Sequence, residues 1–93
     1  MAITPKTKRR RITFNVTARP GSTVYVAGSF SNWTPDKQLK AKADGSRYTG
    51  SILLEPGQYE YKFVIDDVWC IDPENTEFVR NDYGSLNSVL TVA

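Results

Sequence analysis

The sequence predicts an all-β domain, a sandwich or barrel of about seven strands. Apolar and polar residues alternate in short runs, and Gly, Pro, Asn and Asp break those runs at intervals of roughly ten residues. No segment carries the three-to-four spacing of an amphipathic helix. The chain has 93 residues, enough for a single core, and its 40% hydrophobic, 12% aromatic and 24% charged content is that of a folded body.

Each element follows from its pattern. Arg11 to Val16 alternates strictly, with Ile12, Phe14 and Val16 on the apolar face, and Arg19-Pro20-Gly21-Ser22 ends it with turn chemistry. Val24 to Gly28 is a second strand, followed by a polar run, Ser29 to Asp36, interrupted only by Phe30 and Trp33. Gln38 to Lys42 suits a short strand, the Asp44-Gly45 pair a tight turn, and Tyr48 to Leu54 the returning strand. After the turn Glu55-Pro56-Gly57-Gln58, the run Tyr59 to Ile65 sets Tyr59, Tyr61, Phe63 and Ile65 on one face and Glu60, Lys62 and Val64 on the other. A two-residue turn at Asp66-Asp67 pairs Ile65 with Val68, Val64 with Trp69, Phe63 with Cys70 and Lys62 with Ile71. Facing partners share a side, so Trp69 stands beside Val64 and Lys62, away from the core, and Cys70 joins Phe63. Asp72 to Asn75 and Asn81 to Ser85 read as loops, with at most a brief pairing at Phe78-Val79 between them. Ser88 to Ala93 is the last strand, with Leu90 and Val92 inward.

Composition removes several function classes. There is no histidine, the commonest general base and metal ligand, and the single cysteine cannot form an internal disulfide. No cofactor is expected, and the chain is not read as an enzyme. The apolar runs are far shorter than the roughly 20 residues a membrane-crossing helix needs, and the polar, basic start does not resemble a secretion signal. A cytoplasmic location is expected. The net charge of +2 is divided unevenly: residues 1–19 carry six of the twelve basic side chains and no acid, leaving the rest at −4. Residues 1–10 are therefore read as a basic, mobile arm and 11–93 as the domain. An acidic body repels a polyanion, so nucleic acid is not an expected partner, and the arm reads as a solvated lead-in that discourages edge pairing.

Trp33 and Trp69 carry most of the functional information. Residue type alone favours burying both in the core. Position argues otherwise, since Trp33 lies in a polar run and hairpin register turns Trp69 outward. A rigid exposed ring with amide and ammonium groups nearby suits a sugar: the ring covers a pyranose C–H face while the polar groups bond its hydroxyls. The pairs Asp66-Asp67 and Asp72/Glu74 read as turn formers rather than glycosidase carboxylates, because a shallow sheet surface offers no cleft to raise a carboxyl pKa. Asp72, Glu74 and Asn75 lack the ligand count of a calcium loop, and Cys70 reads as a small core residue.

These residues, in order, resemble a known family. Val24-Tyr25-Val26-Ala27-Gly28-Ser29-Phe30-Ser31-Asn32-Trp33, Pro56-Gly57-Gln58-Tyr59-Glu60-Tyr61-Lys62-Phe63-Val64-Ile65-Asp66, Trp69 with Asp72-Pro73-Glu74-Asn75, and Gly84-Ser85-Leu86-Asn87-Ser88-Val89 are similar to carbohydrate-binding module family 48. The resemblance implies an immunoglobulin-like, early-set β-sandwich. It implies a non-catalytic module for α-1,4-linked glucan, glycogen or starch, with a glycan-active enzyme or kinase as a possible protein partner. It further implies stacking by Trp33 and Trp69, hydroxyl contacts by Lys62, polar contacts by Ser85 and Asn87, and Tyr83 where the family has an aliphatic residue. An aromatic there either widens the platform or changes which branch fits. Asp67 stands where the family often has glycine. Some family members serve only as packing modules, so the alternative is a docking module with a vestigial sugar site.

Overall fold

The computed structural model describes residues 9–43 and 45–93. Among the described residues eight strands form: β1 (Arg10–Thr17), β2 (Val24–Gly28), β3 (Lys37–Ala41), β4 (Arg47–Leu54), β5 (Gly57–Ile65), β6 (Val68–Cys70), β7 (Phe78–Arg80) and β8 (Leu86–Val92). A 3-10 turn, Ser29–Ser31, follows β2. The expected arm lies outside the described residues as far as Lys8, and Arg10 is already paired with Leu54 in β1.

All pairings are antiparallel, in the order β1-β4-β3-β2-β5-β8-β7, with β6 also on β5. The continuous ladder becomes a sandwich at β3, whose first half, Lys37 to Leu39, pairs with β2 while Lys40 and Ala41 pair with β4. That change of partner folds β1 and β4 over β2, β5 and β8. Phe14, Val16 and Tyr48 from one layer then meet Val24, Val26, Tyr61 and Phe63 from the other, with Leu39 at the fold line. The Phe14 ring sits edge-on to Tyr61 at 5.1 Å and to Phe63 at 6.4 Å, the arrangement that ring quadrupoles prefer. Tyr48 is buried, and its hydroxyl is satisfied, donating to the Arg19 carbonyl and accepting from the Ser22 amide, each at 3.0 Å.

The expected all-β sandwich is observed, with one strand more than the seven anticipated. The brief pairing at Phe78-Val79 extends to Arg80 and draws β8 back to Leu86, two residues earlier than its apolar pattern indicated. Asn87 and Ser88 are polar yet buried, which hid that part of the strand. Gly57 belongs to β5 rather than to the preceding turn.

The β5–β6 hairpin takes the expected register, Ile65 opposite Val68, Val64 opposite Trp69 and Phe63 opposite Cys70; the ladder stops there, without the Lys62–Ile71 pair. Asp66 and Asp67 both have positive φ, 49° and 68°, the signature of the turn whose twist matches paired strands. Asp66 also anchors the turn to the chain leading into β2: its Oδ1 accepts from the Thr23 amide and its amide donates to the Thr23 carbonyl, both at 2.9 Å.

Candidate functional site

A cavity of about 570 Å³ opens on the outward face of the β2–β5–β8 layer. Trp33, Lys62, Trp69, Tyr83, Ser85 and Asn87, the six residues singled out in the sequence, all line it. They arrive from four separate stretches of chain.

Trp33 is set by the turn after β2. A side chain at Gly28 would begin 2.5 Å from the Glu60 carbonyl oxygen and 2.6 Å from the Phe30 ring, so only glycine lets the turn fold this tightly onto β5. Ser29 Oγ then accepts from the Glu60 amide at 3.1 Å, and the Trp33 amide donates to the Gly28 carbonyl at 2.9 Å. Of the two aromatics in this polar run, Phe30 packs toward the core, 5.9 Å from Phe14, whereas Trp33 is half-buried at the cavity. Asn32 and Trp33 both lie in the left-handed region, at φ 53° and 60°. For a bulky residue that conformation is strained, and such strain persists only where surrounding contacts impose it.

Lys62 projects from the outward face of β5, and Trp69, 44% exposed, follows from its pairing with Val64. The remaining wall is the β7–β8 loop, organised around Asn81. Its Oδ1 accepts from the amides of Tyr83 at 2.9 Å and Ser85 at 3.1 Å; its Nδ2 donates to Ser85 Oγ at 2.7 Å and to Asn87 Oδ1 at 3.0 Å. Sequence reasoning missed Asn81, although Asn opening a loop before Gly is the signal for such self-capping turns. Tyr83 rides at the loop tip, 94% exposed.

The polar side chains form one connected network. Lys62 Nζ donates to Ser85 Oγ at 3.0 Å, and Asn87 Nδ2 donates to Glu60 Oε1 at 2.9 Å. Asn87 is only 6% exposed and has both ends of its amide engaged, so it fixes the loop to β5 as well as facing the cavity. Lys62 retains two N–H donors and Ser85 its hydroxyl proton, groups already held in place for an incoming hydroxyl. Lys62 and Arg80 are balanced by Glu60 and Asp82 in the same wall, a charge balance that favours a neutral ligand over an ionic one.

The other candidates are accounted for by structure. The Asp72 carboxylate accepts from Tyr61 Oη at 2.7 Å and from the Glu74 amide at 2.9 Å; Asn75 Nδ2 donates to Tyr61 Oη and to the Val89 carbonyl. Burial drives the Tyr61 phenol far above its ordinary pKa. Glu74 pairs with Arg47, whose hydrogen bonds hold its carboxyl below the usual range. Cys70 rests against the core with Sγ 3.7 Å from the Phe63 carbonyl, and burial raises its thiol pKa. Among the described residues no cluster of three His, Cys, Asp or Glu is placed to hold a metal, and no helix is long and apolar enough to cross a membrane.

Comparison with known proteins bears on the same surface. A family model described as the glycogen recognition site of AMP-activated protein kinase matches residues 11–93. Protein FLOURY ENDOSPERM 6, chloroplastic, of Oryza sativa subsp. japonica is 35% identical over 82 residues, 88% of this chain and 15% of that protein. The 5'-AMP-activated protein kinase subunit beta of Schizosaccharomyces pombe is 39% identical over 69 residues, 71% of this chain and 22% of that one. Subunit beta-1 from Sus scrofa is 31% identical over 72 residues, 77% of this chain and 56% of the relative. The chain thus spans a minor part of most of these proteins. A crystal structure of maltogenic amylase from S. marinus superposes with a TM-score of 0.72 at 23% identity, covering 91% of this chain and 14% of that one, a likeness of fold.

Proposed function

Since this chain belongs to the family described as the glycogen recognition site of AMP-activated protein kinase, a family of non-catalytic carbohydrate-binding modules, we propose that its cavity takes an α-1,4-linked glucan by tryptophan stacking. The observation that carries this reading is the placement of Trp33 and Trp69 in one cavity with Lys62, neither indole belonging to the core cluster. Two flat rings cover the apolar faces of glucose units, and Lys62, Ser85 and the Asn87 network bond the hydroxyls that set register. Tyr83 widens the platform at the loop tip.

A shallow site with few buried hydrogen bonds binds at roughly micromolar to millimolar strength, about −8 to −4 kcal/mol. Maltoheptaose titration followed by tryptophan fluorescence tests the reading. Trp33→Ala and Trp69→Ala are each expected to weaken binding at least tenfold, about 1.4 kcal/mol, with the melting temperature little changed. Unaltered affinity in both variants overturns the assignment.

No hydrolytic role is assigned to Glu60 or Asp82: reducing sugar released from soluble starch is expected to stay at the buffer level. Kinase beta subunits and chloroplastic proteins both occur among the relatives. We therefore assign the module to a larger assembly that it brings to glucan, in the cytoplasm for a kinase partner or in the plastid for a plant-type one. The free, half-buried Cys70 fits either reducing compartment. A second reading, docking onto such a partner with an inactive sugar site, is favoured by the exposed Phe78 and Val79 of edge strand β7. Retardation in a glycogen-containing gel separates the two, because only a live site slows migration.

A further inference from the structure

We infer that the glucan-binding surface continues beyond the cavity, along Tyr25 and Gln38, as a further subsite for a longer chain; this rests on the glucan reading above. Strand register places Trp69 opposite Val64, Val64 opposite Tyr25, and Tyr25 opposite Gln38. These four residues therefore form one row across β6, β5, β2 and β3, and directly opposed residues share a face. The face is the outward one. Tyr25 alternates with Val24 and Val26, both fully buried, and Gln38 flanks the buried Leu39.

Val64 supplies an independent sign of continuity. It lies on the outward face but is only 6% exposed, and the residues directly opposite it on the two flanking strands are Tyr25 and Trp69. The row therefore carries an aromatic residue on each strand flanking Val64, Trp69 and Tyr25, two strand spacings or about 10 Å apart along the register. Gln38 stands one strand further and is exposed. Among the described residues, neither the Tyr25 hydroxyl nor the Gln38 amide has a hydrogen-bond partner. A ring followed by a spare polar group parallels the cavity's pairing of Trp69 with the spare donors of Lys62, and both residues lie outside its lining. The occupant consistent with this surface is the end of the same polysaccharide, leaving the cavity past Trp69.

Chain-length dependence tests the extension. Maltotetraose and maltoheptaose are titrated calorimetrically into the whole chain, into Tyr25→Ala and into Gln38→Ala. The heptaose affinity is expected to fall about three- to tenfold in Tyr25→Ala, and to fall in Gln38→Ala, while maltotetraose binding stays unchanged. The heptaose-to-tetraose ratio is insensitive to the fraction folded, and Gln38→Ala removes no core contact, so loss of stability cannot imitate the result. An unchanged ratio in both variants, with the native chain still binding both sugars, overturns the subsite and leaves the glucan reading standing. A native chain that binds neither sugar overturns both.

Discussion

Asn81 is neither aromatic nor charged, yet four hydrogen bonds converge on its side chain. It shapes the loop that carries Tyr83 and Ser85 and ties that loop to Asn87. Asn81→Ala leaves the buried Asn87 Oδ1 without this donor at a cost of about 1–3 kcal/mol and releases the exposed Tyr83 and Ser85 amides to solvent. Glucan affinity is expected to fall with it, and hydrogen exchange at the Tyr83 and Ser85 amides to quicken; protection equal to that of the native chain refutes the hub role. Asn87 illustrates the same point from the other side. The family resemblance implied a contact with ligand, whereas its burial makes it as much a strut between β8 and β5.

At the scale of elements, the hairpin that presents Trp69 contains a testable asymmetry. Both turn residues hold positive φ, but only Asp66 uses its side chain, accepting from the Thr23 amide. Asp67→Gly relieves strain without losing a contact and is expected to stabilise by about 0.5–1 kcal/mol, a rise of roughly 2–6 °C. Asp66→Gly gives up the Thr23 bond and is expected to lower the melting temperature; the reverse ranking in thermal melts refutes this account. The turn after β2 has the opposite tolerance. Gly28→Ala drives a methyl into the Glu60 backbone and the Phe30 ring, costing about 1–3 kcal/mol and displacing Trp33. At Gly50 the nearest obstacle is a methyl of Leu39 at 2.6 Å, a residue buried in the core.

For the molecule as a whole, pH acts at both ends of its range. Glu74 holds its proton less tightly when folded, because Arg47 hydrogen-bonds the carboxylate. The resulting stability is present above the ordinary glutamate value of about 4.3 and is lost as pH falls through the lower folded value. Tyr61 behaves oppositely. Burial favours the neutral phenol, so its contribution is full below a pH of about 10 and is lost as pH rises further; Cys70 adds a similar loss beginning above about 8.5. Chemical denaturation across pH is expected to give a plateau near neutrality with both limbs falling. Glu74→Gln should flatten the acid limb and Tyr61→Phe the alkaline one; limbs unchanged in these variants contradict the assignment.

Much of this architecture was legible in the chain itself. Alternation located β1 and β5, because a half-buried strand must place apolar residues at every second position, and the turn residues between runs marked β2 and β4. The two-residue turn determined the β5–β6 register, and with it the outward face for Trp69. Together with the resemblance, that was sufficient to nominate six residues that share one cavity. What only the tertiary structure decided was how those residues are held and what surrounds them. The Asn81 hub, the burial of Asn87, the close approach at Gly28 and the row from Trp69 to Gln38 join positions far apart in sequence. Local periodicity reports which side of a strand a residue takes. Only the path of β3 between layers and the return of the loops over β5 determine which residues meet there, because those contacts depend on chain crossings that no local pattern encodes.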